Sequence, residues 1–123
     1  MYCTGGGKRL RAAAAGTMCT PWSKVGDRTR WCHKDVLSHY AWLSDLRANK
    51  YDMVHLEQSD HFPIKTHAEQ LKSMMGMTTV WIVLRPSDLG WPTHGCRTFA
   101  VSFTDRLVCL APEDESMITH RIL

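Results

Sequence analysis

The chain lacks any apolar run long enough to cross a bilayer. Its longest, Val80–Leu84, spans five residues, where a membrane helix needs about 20. There is no internal repeat, which excludes solenoids and propellers. Neither sign of charge dominates: 15 Lys and Arg against 12 Asp and Glu leave a net charge of +3. So small an excess is weak support for an anionic partner, and the placement of the cations matters more. The five cysteines are odd in number, contain no Cys-x-x-Cys pair and follow no signal-peptide pattern. A secreted disulfide scaffold is therefore excluded, and a reduced intracellular compartment is expected: nucleus in a eukaryote, cytoplasm in a bacterium. Cys19, Cys32, His33, His94 and Cys96 are too scattered for a zinc site. The seven histidines are dispersed and suggest no site.

What remains is an ordinary globular composition, 44% hydrophobic and 22% charged over 123 residues. That is one small domain or a piece of a larger one, with a modest core. Residues 1–15 read as a loose, basic N-terminus in which Ala12–Ala15 is low-complexity. Over residues 33–49, Val36, Leu37, Tyr40, Leu43 and Leu46 recur at helical spacing. A short buried strand, 53–56, ends at Glu57. A second helix over 64–75 carries an Ile64, Ala68, Leu71, Met75 stripe and stops at Gly76. The β-rich run 79–84 predicts a strand buried on both faces. Strands follow at 99–103 and 107–110, and residues 111–123 form a tail. Strand, helix, strand over 53–84 is a βαβ unit, so the fold class is α/β with a mixed, partly parallel sheet.

Functional groups in open α/β sheets gather at the carboxyl ends of strands. Glu57 ends one. Cys19 lies in a turn before a loop holding Lys24, Arg28 and Arg30, cations that favour a thiolate and can hold phosphates. A thiolate, a carboxylate and an arginine around one cleft suit nucleophilic attack on an electron-poor ring. Trp22, Trp31 and Trp42 suit either base stacking or burial.

Three segments then resemble the motifs of the DNA (cytosine-5) methyltransferases. Thr17-Met18-Cys19-Thr20-Pro21-Trp22-Ser23, with Gly26 following, is similar to the family's Pro-Pro-Cys-Gln turn with its aromatic-Ser and glycine. Glu57-Gln58-Ser59 stands where the family has Glu-Asn-Val, and Gly90-Trp91-Pro92 through Arg97 where it has Gly-Val-Pro-Gln-x-Arg-x-Arg. The resemblance covers roughly residues 16–104, within a partial catalytic domain expected over 16–110, and implies a partial Rossmann-like, S-adenosylmethionine-dependent methyltransferase fold. It implies that Cys19 attacks C6 of a flipped cytosine, that Glu57 holds N3 and the exocyclic amine, and that Arg97 holds the carbonyl oxygen. Pro21, Trp22, Ser23, Lys24, Gly26, Arg28, Arg30 and Gln58 would then contact the base or the DNA, with Gly26 as a loop hinge.

The family's Phe-x-Gly-x-Gly cofactor turn has no counterpart before Cys19, so S-adenosylmethionine is implied by the resemblance while no residue is assigned to bind it. Methyl transfer by the chain alone is expected to be weak or absent, and self-association or a partner chain would supply the missing half. Two alternatives stay open: a non-catalytic remnant that binds nucleic acid through Lys24, Arg28, Arg30 and Lys34, and an unrelated α/β interaction module.

Overall fold

The computed structural model describes residues 2–3, 9–22, 30–92 and 95–108. In chain order the elements are β1 (Tyr2–Cys3), β2 (Ala12–Ala15), α1 (Val36–Asn49), β3 (Met53–Ser59), α2 (Ile64–Met75), β4 (Thr78–Leu84), β5 (Arg97–Phe103) and β6 (Leu107–Val108). Single turns of 3-10 helix cover Arg30–Cys32 and Pro86–Leu89. The main sheet has the order β2-β3-β5-β4, and β1 pairs separately with β6. β2 runs parallel to β3, whereas β5 is antiparallel to both β3 and β4. The sheet is mixed, as expected, with one difference: β3 and β4 run the same way through α2, but β5 is inserted between them.

Register determines what each face carries, because directly paired residues point the same way. Val54, Leu56 and Gln58 pair with Ser102, Ala100 and Thr98, and all six are buried. The helices cover this face. Leu56 and Ala100 pack with Trp22, Val36 and Phe62, while Val54 packs with Leu43, Leu46, Leu71 and Met77. The second face carries Met53, His55 and Glu57 beside Phe103, Val101 and Phe99, and is only half-covered.

Three expectations need correction. Ala12–Ala15 is not loose: it is a strand in register with Met53–Leu56. Alanine has no β preference of its own, so tertiary pairing decides this element. The pairing starts at a knot around buried Asp52, which accepts the Arg11 backbone N–H at 2.9 Å and an Arg106 guanidinium N–H at 2.6 Å. Second, β4 is an edge strand with Val80 and Val83 each 39% exposed, not a strand buried on both faces. Third, α1 buries Val36, His39, Leu43 and Leu46, leaving Leu37 70% and Tyr40 45% exposed. The helix is apolar on more than one side, and the contact with the sheet chose the side. α2 spans the residues expected of it and ends at Gly76 in a left-handed conformation (φ 66°), where the Met77 N–H reaches back to the Leu71 carbonyl.

Candidate functional site

Strand direction gathers the three motif residues at one end of the sheet. Parallel β2 and β3 both finish there, β2 leading to Cys19 and β3 carrying Glu57, while antiparallel β5 begins there with Arg97. Arg97 pairs with Ser59 and Glu57 with Phe99, so the two are diagonal neighbours on the half-covered face. That offset is within reach of long side chains. The Arg97 Nε forms an ion pair with Glu57 Oε1 at 3.1 Å, with side chains 51% and 39% exposed. A pair this open to water contributes about 0–1 kcal/mol, so it aligns both groups and releases them at little cost.

The turn before Cys19 is fixed from below. Gln58 is 1% exposed and donates its amide to the Thr17 carbonyl and the Thr17 hydroxyl, each at 2.7 Å. Its own oxygen accepts the Ser59 N–H at 3.1 Å. A Cβ on Gly16 would lie 3.3 Å from Glu57 Oε2, so the missing side chain leaves space for the carboxylate. The Trp22 N–H donates to the Cys19 carbonyl at 2.9 Å and closes a turn that leaves Cys19 exposed. Trp22 and Pro21 are both buried. Trp22 meets Trp31 and Phe62 edge-on at 4.8 and 5.5 Å, so of the two uses open to it, packing is the one realised. Arg30 is exposed and, with Pro21, Trp22 and His61, lines a recess of about 110 Å³. Ser23, Lys24, Gly26 and Arg28 lie outside the described residues.

Two further groups went unnoticed in the sequence. His39 and His67, dispersed in sequence, are 1% and 0% exposed with ring centroids 5.3 Å apart. Burial lowers His39 to about 4; burial, and then the neighbouring His39, lower His67 to about 3. No hydrogen-bond partner meets any of their ring nitrogens. Both rings pack as aromatics against Phe62 and Trp42, a role that helical spacing signals only if histidine is counted as apolar. Beside Arg97, an apolar recess of about 350 Å³ is lined by Leu84, Pro86, Leu89, Trp91 and Phe99.

No family model and no curated protein sequence matches the chain. Solved structures do. The structure of S. pombe Dnmt2 methyltransferase superposes with a TM-score of 0.58 at 13% identity, over 88% of this chain and 38% of that one. A Spodoptera frugiperda DNMT2 mutant gives 0.60 at 15% identity, over 85% and 33%. The fold is part of the S-adenosylmethionine-dependent methyltransferase fold. Dnmt2 is a member of the C5 cytosine methyltransferase family, the one the motifs resemble. At these identities the likeness is one of fold, and this chain spans about a third of the length of the structures it matches.

The described part of this methyltransferase fold does not fit the cofactor itself. A nucleoside-sized ligand needs a pocket of about 300 Å³ or more, and the recess beside the Cys19 turn holds about 110 Å³. The recess of about 350 Å³ beside Arg97 has the volume, but its described lining offers no carboxylate for ribose hydroxyls or an ammonium group, and a cavity of about 500 Å³ between Lys50, Met74 and Asp105 is at the opposite end of the sheet. Among the described residues no three His, Cys, Asp or Glu side chains converge as a metal site, and no helix is long and apolar enough to cross a membrane.

Proposed function

We propose that the chain is a divergent piece of a DNA cytosine-5 methyltransferase that supplies the nucleophile and the base-holding groups, and not the methyl-donor site. The observation that carries this is the convergence of Cys19, Glu57 and Arg97 at one sheet end, with Glu57 and Arg97 already 3.1 Å apart. In this reading the Cys19 thiolate adds to C6 of an extruded cytosine. The S–C6 bond forms as the C5=C6 electron pair moves onto C5 and, in conjugation, towards N3. Glu57 hydrogen-bonds N3 and the exocyclic amine, and Arg97 turns from Glu57 to the carbonyl oxygen. Expelling the sulfur reverses the addition. Methyl transfer from S-adenosylmethionine, which the resemblance implies, requires groups the described residues do not provide, so the chain alone should carry out little of it.

Reversible addition has its own readout. While sulfur is bound to C6, C5 can take a deuteron from D2O and lose its original proton before the sulfur leaves. Mass spectrometry of a cytosine-containing oligonucleotide incubated with the protein in D2O should show deuterium at C5, abolished in Cys19→Ser and reduced about 10²-fold or more in Glu57→Gln. The folded wild-type protein giving no exchange would sink the catalytic reading. Salt-sensitive DNA binding without exchange would support the second reading, a non-catalytic nucleic-acid-binding remnant, which the poor cofactor fit favours.

A further inference from the structure

The turn Pro86–Leu89 ends in Gly90, whose φ of 83° is a left-handed conformation that glycine adopts without strain. The next N–H, that of Trp91, donates to the Pro86 carbonyl at 3.1 Å, so its backbone is pinned. Its indole is 67% exposed, and Leu89 beside it is 65% exposed. The core makes no use of this ring. It borders a recess of about 350 Å³ whose remaining described walls are Leu84, Pro86 and Phe99, with Arg97 the charged residue among the described residues that line it. An apolar slot with a rigid aromatic lip and a single cation fits a flat π-system carrying an acceptor or an anion at its edge. The volume suits one nucleoside. Exposed Arg85 stands at the start of the same turn, its Nε donating to the Cys96 sulfur at 3.4 Å, and Asp88 is the carboxylate of that turn.

We propose that this recess is a stacking site for an unpaired nucleobase, with Trp91 as the platform and Arg97 standing between it and the base offered to Cys19. The ligand is thus a single-stranded or locally opened nucleic acid, a base neighbouring the one offered to Cys19. It rests on the proposed function for nucleic acid as the ligand class, but it does not need Cys19 chemistry. Stacking on an aromatic tolerates any base, so a strand without cytosine should bind as well as one with it.

The test is titration of the full chain with a twelve-nucleotide thymidine strand, which Cys19 cannot attack as cytosine, followed by anisotropy of a dye on the strand. Trp91→Ala should weaken binding about tenfold or more, and Trp91→Phe should restore most of it. A strand of the same length without bases, and a duplex of the same length, should bind like the Trp91→Ala protein binds thymidine. Since Trp91 is exposed, the variants should fold, and circular dichroism checks that. Equal affinities for wild type and Trp91→Ala, or equal affinities for the base-free and thymidine strands, would overturn the site. So would sedimentation showing that Trp91→Ala only separates two copies of the chain while strand affinity is unchanged. Thymidine binding that depends on Trp91, without deuterium exchange into cytosine, would keep this site and remove the catalytic reading.

Discussion

Gln58 shows how one side chain ties sequence to site. It stands where the resembled motif carries asparagine, and the additional methylene lets its amide span two acceptors on Thr17 from beneath the Cys19 turn. Removing it leaves a part-buried carbonyl and hydroxyl without their donor, a loss of about 1–3 kcal/mol. Gln58→Leu should therefore lower the urea midpoint with an unchanged slope. An unaltered midpoint would mean that water replaces the amide and that the turn is held by other contacts. The same side chain, expected to contact substrate, is 1% exposed and occupied by the protein itself. Cys19, by contrast, is exposed as a nucleophile must be. The identity of these residues was legible from motif order, whereas the partner of each is a long-range fact: Gln58 and Thr17 are 41 residues apart.

At the scale of elements, α1 and α2 meet through His39 and His67 as well as through the cluster of Leu43, Leu46 and Leu71. Both rings are neutral in the folded chain, at about 4 and about 3, against 6.5 when unfolded. Between those values the unfolded chain binds more protons. The contribution to stability is thus complete above about pH 6.5, falls as the pH drops from there towards 4, and levels off near 3. Thermal unfolding followed from pH 7.5 to 4.5 should show a falling midpoint, and the double variant His39→Phe, His67→Phe should flatten that fall. Replacing unpartnered buried nitrogens with carbon should also leave stability at pH 7 unchanged or raised. A pH dependence that survives in the double variant would place the acid sensitivity elsewhere. The spans of α2, β4 and β5 were readable from local pattern to within a few residues, because a Gly76 stop and β-branched runs are local signals. The buried side of α1 was not, since Leu37 and Tyr40 compete with His39 and Trp42 for it.

For the whole molecule, the helices protect one face of the sheet, and the other presents Val101, Phe99, Ile82 and exposed Val80 in adjacent registers. An edge strand and a half-covered apolar face are both openings for association. We expect sedimentation to show concentration-dependent self-association, which Val80→Glu should reduce without unfolding the chain. A strictly monomeric wild-type protein at high concentration would count against this. The three motif segments meet only because β2 and β3 run parallel while β5 returns between β3 and β4. The βαβ rule predicts the shared direction of β3 and β4 and says nothing of the strand inserted between them.

The sequence by itself determined the α/β class and most element spans, because side-chain type, turn chemistry and periodicity are local. Only the tertiary structure decided that four alanines form a strand, that two histidines share a core, that Gln58 supports the turn leading to Cys19, and that Trp91 faces solvent beside Arg97. Each of these depends on which distant segment lies alongside, and that is determined by the free energy of the whole packed arrangement rather than by any window of the chain.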